Sequence, residues 1–254
     1  MCIQNQLVLT AVLVMLLSAC AMRPGEPDEI ATNNNECVVL LHGLVRTSDS
    51  MAPMQRFLVT LGYKVENQSY PSREKRIEVL AQEAVLAGVK RCRDRGFERI
   101  NFVTHSMGGI LVRYYLEHQQ IENLGRVVMI SPPNQGSDLV DFWSQVPGFG
   151  KLNGPAGYQL GIGADSLPLK LGPANFDVGV ITGNNTTNII FSLMIPGADD
   201  GKISVQRARL DGMADFLVVP EAHSLIMRDR EVMQQVINFL GTGHFDHRDA
   251  GQGI

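Results

Sequence analysis

A serine, a base to activate it and an acid to orient the base are enough for nucleophilic acyl chemistry, however far apart they lie in the chain. Residues 100–110 read INFVTHSMGGI, an apolar run that stops at His105 and Ser106 and resumes after two glycines. A structural turn needs a glycine and a capping residue, not a histidine and a serine between two hydrophobic elements. Strand, then THSMGG, then helix is the layout of a nucleophile elbow. Small residues two places before and two after the serine let the chain turn tightly and pack helix on strand. Gly108 fills the second place, whereas Thr104, with its branched β-carbon, stands in the first. The rival reading of this stretch is an ordinary strand-to-helix turn capped by Ser106.

The other parts of such a site can be sought by type and order. A developing oxyanion needs two backbone N–H donors fixed in place. Met107, directly after the serine, offers one. Leu44, on the loop where the apolar run CVVLL (37–41) ends in His42-Gly43, is the best candidate for the other. His42 then holds that loop, and His105 lies too close in sequence to reach round to the Ser106 hydroxyl. Downstream come Asp199-Asp200-Gly201 and Glu221-Ala222-His223-Ser224, which gives the order serine, acid, histidine. Two aspartates compete for the acid. Asp200 is preferred because Gly201 permits a sharp turn that aims its carboxylate inward, leaving Asp199 to face solvent or cap the turn. His118, His244 and His247 fall at a helix end and in a polar tail, and no pair of histidines has metal-ligand spacing. No metal and no cofactor is expected.

These groups need elements to hold them. Short apolar runs at 37–41, 63–67, 99–104, 126–130, 178–182 and 216–219 read as strands. Helical spacing appears over 49–61, 74–93, 108–116 and 231–240, most clearly where Ile77, Leu80, Ala81, Ala84 and Val85 share one side. Strands that are almost continuously apolar and alternate with helices imply an α/β fold, a parallel sheet covered on both faces. Regularity lapses from 131 to 177, a glycine- and proline-rich stretch expected as an irregular cap. Its Leu139, Phe142, Trp143, Phe149, Leu152 and Leu160 either line an acyl pocket or partial lid or are plain core.

The 254 residues, 44% hydrophobic and 19% charged, suit one domain with a full core. A net charge of −4 with no basic block argues against a nucleic-acid partner. Residues 7–17 (LVLTAVLVMLL) have the length of a signal h-region, and Leu17-Ser18-Ala19-Cys20 resembles a bacterial lipoprotein signal, although the n-region MCIQNQ lacks a Lys or Arg. The rival is an N-terminal anchor or a buried helix. The expected organisation is a signal peptide over 1–19, a lipidated N-terminus and linker over 20–35, a domain over 36–243 and a polar tail over 244–254. Lipid on Cys20, followed by alanine, implies anchoring in the outer membrane facing the periplasm.

From about 36 to 242 the chain resembles the α/β-hydrolase superfamily, specifically bacterial lipase- and esterase-like members. The resemblance is carried by LLHG (40–43), THSMGG (104–109), PGADDGKISV (196–205) and PEAHS (220–224), and MISPPNQGS (129–137) is similar to a loop of those lipases. It implies Ser106 as nucleophile, His223 as base and Asp200 as acid, acting on a small-molecule or lipid ester. Thr104 and the short cap depart from the pattern and leave substrate size open. An acyltransferase or thioesterase could use the same triad, and a catalytically silent binding lipoprotein is the alternative of another class. In this fold Cys37 and Cys92 both fall at the sheet edge opposite the catalytic loops. They are either bridged after export or two buried thiols. Oligomeric state is not legible.

Overall fold

The computed structural model describes residues 35–248. The leader, Cys20 and the last residues of the tail lie outside them. Apolar runs form six strands: β1 (Glu36–Leu41), β2 (Lys64–Gln68), β3 (Arg99–His105), β4 (Leu124–Ile130), β5 (Val178–Gly183) and β6 (Asp215–Val219). The helices are α1 (Ala52–Thr60), α2 (Ile77–Asp94), α3 (Met107–His118), α4 (Asp138–Ser144), α5 (Phe149–Tyr158), α6 (Ile189–Ser192), α7 (Val205–Ala208) and α8 (Arg230–Thr242). The strands make one sheet in the order β2-β1-β3-β4-β5-β6, every pair parallel. The expected α/β class is the observed one.

Strand alternation divides the core. Val39, Leu41, Phe102, Val127 and Met129 face α2 and α3, which bury Leu80, Ala84, Val85, Ile110 and Leu111 against them. α2 approaches so closely that a Cβ on Gly88 would lie 2.5 Å from a methyl of Val39. On the opposite face, a Cβ on Gly179 of β5 would meet the ring of Phe239 in α8 at 2.5 Å. Two helix layers therefore cover the sheet. Chain order reverses at β1, so the loops leaving β1 and β3 diverge and open a crevice at the carboxyl ends of the strands.

The 131–177 segment departs from the irregular stretch expected. It contains α4 and α5, the latter two helical turns meeting at Gly154 (φ 65°), where a side chain would collide with the Arg73 carbonyl. Ser137 caps α4 through Val140 N. Buried groups tie the segment down. Gln159 accepts from Ile77 N at 2.7 Å, capping the start of α2, while Arg113 of α3 donates to the carbonyls of Asn134, Leu171 and Gly172. Arg207 of α7 holds Asp138 in a bidentate pair. At the far end, Phe245 packs on Phe239 and its N–H donates to Asp215, so ordered packing continues past residue 243.

Cys37 and Cys92 are joined, with S–S 1.98 Å and Cα atoms 5.9 Å apart. The bridge links the start of β1 to the last turn of α2.

Candidate active site

β3 ends at His105, and Ser106 takes φ 54° and ψ −124° before α3 begins at Met107. A positive φ in a residue with a Cβ is strained and persists only when its surroundings fix it. Here Ser106 N–H donates to Ile130 O at 2.8 Å, and α3 packs directly on the end of β1. A Cβ on Gly108 would lie 2.5 Å from the Leu41 carbonyl oxygen, which is why that place takes glycine. Thr104 is fully buried, and its hydroxyl donates to Val128 O at 3.4 Å. The threonine is accommodated by β4 rather than by a looser turn.

The loop after β1 passes beside the serine. A Cβ on Gly43 would sit 3.0 Å from Ser106 Cβ. His42 is buried and stacked on Tyr70, with ring centroids 4.0 Å apart, and the Tyr70 hydroxyl donates to the His42 carbonyl. Burial lowers the His42 pKa, with its contact to Gly43 O acting the other way. His42 thus braces the loop that carries Leu44. Tyr70 escaped the sequence reading because nothing local marks its link to residue 42.

The acid and the histidine meet. Asp200 Oδ2 lies 2.8 Å from His223 Nδ1, and His223 N–H donates to Asp200 O at 2.9 Å. Asp200 is 1% exposed, and its other oxygen accepts from Lys202 N at 3.0 Å and Ile203 N at 2.8 Å. Two strand ends bring them together, since Asp200 follows β5 and His223 follows β6. Gly183 permits it: a Cβ there would overlap the Glu221 carbonyl. Asp199 does not face solvent. It is buried, accepts from Gly201 N at 2.7 Å and from the Ser192 hydroxyl at 2.5 Å, and fixes the turn that presents Asp200.

His105 lies behind the serine. It is buried, its ring is tilted against that of His223 at 4.8 Å, and its Nε2–H donates to the His223 carbonyl at 3.0 Å. Burial first, then the charges of His223, Lys202 and Arg46, hold its pKa well below the ordinary value, with the carbonyl contact opposing. It remains neutral and positions the loop of His223.

Ser106, His223 and Leu44 line one cavity of about 680 Å³. Its walls include Leu139, Val140 and Trp143 from α4, Phe149 and Leu152 from α5, and Leu160 and Phe191. Met107 is fully buried beneath the first turn of α3, with its backbone at the helix N-terminus next to the serine. Phe142 is half exposed and does not line the cavity, its ring meeting that of Trp143 edge-on. Among the described residues no group of three or more His, Cys, Asp and Glu is placed to hold a metal, and no helix is long and apolar enough to cross a membrane.

No protein-family model matches the sequence, and no characterised relative matches it. Solved structures do. The mature form of lipase BlEst2 from Bacillus licheniformis superposes with a TM-score of 0.68 at 18% identity, over 85% of this chain and 96% of that one. Phospholipase PlaB from Legionella pneumophila, in complex with thio-NAD, gives 0.62 at 15% identity, over 81% of this chain but 61% of that one. The Pyrococcus furiosus esterase Pf2001 gives 0.54 at 17% identity, over 81% and 82%. At these identities the likeness is one of architecture: the chain shares the α/β fold of these proteins, a parallel sheet covered by helices on both faces.

Proposed function

We propose that the protein is a serine hydrolase that cleaves carboxylic esters through an acyl-enzyme on Ser106. The observation that carries this is the 2.8 Å contact between buried Asp200 and His223, made at the same cavity that Ser106 lines. In this mechanism His223 Nε2 takes the Ser106 proton as Oγ attacks the ester carbonyl. Asp200 fixes the Nδ1–H tautomer and stabilises the imidazolium. The amides of Leu44 and Met107 donate to the oxyanion. His223 then protonates the departing alkoxide, and water activated by His223 releases the acid and restores Ser106.

The apolar cavity suits an acyl chain, and lipase and esterase are the activities named for two of the similar structures. Lipid attached at Cys20 would tether the 36–243 domain to the envelope through the 20–35 linker. The Cys37–Cys92 bridge supports export, since such bonds persist in oxidising compartments. Hydrolysis of p-nitrophenyl esters of graded chain length tests the reading, with Ser106→Ala as control. In a comparable triad removal of the serine lowers kcat by about 10⁶. Equal turnover by the folded variant would refute the assignment.

A further inference from the structure

The charged residues of the cavity follow a sign that the whole chain does not. Arg46, Lys151 and Lys202 line it and no aspartate or glutamate does, in a protein of net charge −4. Lys151, on α5, and Arg46 are exposed, and Lys202 is half-buried. Arg46 and Lys202 stand next to groups of the site in the chain. Arg46 follows the Leu44 loop by two residues. Lys202 follows Asp200 by two, with its backbone N–H held at 3.0 Å by the Asp200 carboxylate.

Neither side chain is paired in direct contact with a carboxylate, although Asp200 is near enough to favour the charge on Lys202. Among the described residues, the Arg46 guanidinium and the Lys202 ammonium have no hydrogen-bond or ion-pair partner, whereas other arginines of the fold, such as Arg207 and Arg126, are paired with aspartates. The two cations repel each other. Burial first, and then Arg46, lower the pKa of Lys202, with Asp200 opposing. Arg46 keeps contact with solvent, whereas Lys202 is half-buried, so the cost of burial falls on Lys202 and the proximity of a second cation adds to it. A ligand oxyanion would offset the desolvation of Lys202 and the repulsion between the two cations. Arginine and lysine are the side chains that hold carboxylate and phosphate.

We propose that Arg46 and Lys202 form an anion-binding subsite beside Ser106, so that the preferred substrate is an ester carrying a carboxylate or phosphate near its scissile bond and an apolar chain for the α4–α5 wall. The kinetic part rests on the esterase reading above; the binding part does not.

Two sets of measurements separate the claims. In the first, kcat/KM is compared within each of two matched pairs after subtracting the uncatalysed rate. One pair, p-nitrophenyl hexanoate and p-nitrophenyl hydrogen adipate, places the charge at the end of the acyl chain. The other, phenyl butyrate and para-butyryloxybenzoate, places it on the leaving group. Wild type should favour the anionic member of at least one pair by about tenfold, the size of one charge-assisted contact. In the Arg46→Met/Lys202→Met double variant the ratio should fall to near one, whatever happens to the neutral rate. In the second set, the fluorescence of Trp143, the single tryptophan and part of the cavity wall, follows titration with octyl phosphate and with octanol. Octyl phosphate should bind more tightly to wild type, and the double variant should lose that difference.

Ester hydrolysis without an anionic preference in either pair, together with equal binding of the two octyl compounds, overturns the subsite and leaves the hydrolase reading intact. Preferential binding of octyl phosphate that depends on Arg46 and Lys202, in a protein that cleaves no ester, upholds the subsite and refutes the hydrolase. An anionic preference that survives in the double variant overturns the assignment to these two residues.

Discussion

Adjacent aspartates differ here in what they touch. Asp200 carries His223 on one oxygen and two backbone amides on the other, while Asp199 holds Gly201 N and Ser192. Asp200→Asn should lower kcat on a short-chain ester by about 10⁴, the loss seen when a triad acid becomes an amide. Asp199→Asn should cost less, through slackening of the turn. Turnover of the two folded variants settles it; the larger loss in Asp199→Asn would reverse the assignment. The sequence supported choosing Asp200, through the glycine that follows it. It could not show that Asp199 is buried, because Ser192, its partner, lies on a short helix with no signal of its own.

His105 gives a second prediction at this scale. Its native pKa is depressed, so between that value and the ordinary 6.5 the unfolded chain holds a proton that the folded protein does not. Stability therefore rises with pH across that window and is lost as pH falls below about 6.5, by up to about 1.4 kcal/mol per pH unit for one group. His42, also depressed, adds in the same direction. Urea midpoints measured from pH 7.5 down to 5 should fall, and more shallowly for His105→Gln, which keeps a donor toward the His223 carbonyl. An unchanged slope in the variant would show that His105 is protonated in the fold.

Among the elements, legibility followed length and burial. β1, β3, β4 and β5 consist mostly of buried residues, and α2 repeats its buried face over five turns, so periodicity marked them. α4 to α7 are short. They are held by tertiary contacts such as Arg207–Asp138 and Gln159–Ile77, which no local window contains. The elbow was legible because glycine at 108 answers a steric need, the approach of α3 to the Leu41 carbonyl. Gly108→Ala should destabilise the protein by about 1–3 kcal/mol, the cost of overpacking against backbone, and displace Ser106. Gly172→Ala, whose Cβ would meet nothing within 4 Å, should change the melting temperature little. Equal effects of the two would contradict the packing described for the elbow.

At the scale of the whole molecule, the bridge from Cys37 to Cys92 closes a loop across 55 residues, tying the first strand to the helix that leads into β3. The chain-entropy relation assigns a loop of that size about 4 kcal/mol. In protein lacking the leader, thiol titration of the denatured chain without reductant should find no free thiol, and reductant should lower the urea midpoint. Two titrating thiols would contradict the bridge. The sequence left this pairing open, since it depends on which strands are neighbours, and that order is a property of the assembled sheet.

Four strands meet at one junction: β1 leads to the Leu44 loop, β3 to Ser106, β5 to Asp200 and β6 to His223. Incubation of the folded protein with a fluorophosphonate probe, followed by peptide mass mapping, tests that account most directly. The account predicts stoichiometric phosphonylation of Ser106, abolished in Ser106→Ala and strongly slowed in His223→Ala. No labelling of the active preparation, or labelling at another serine that persists in Ser106→Ala, would contradict it.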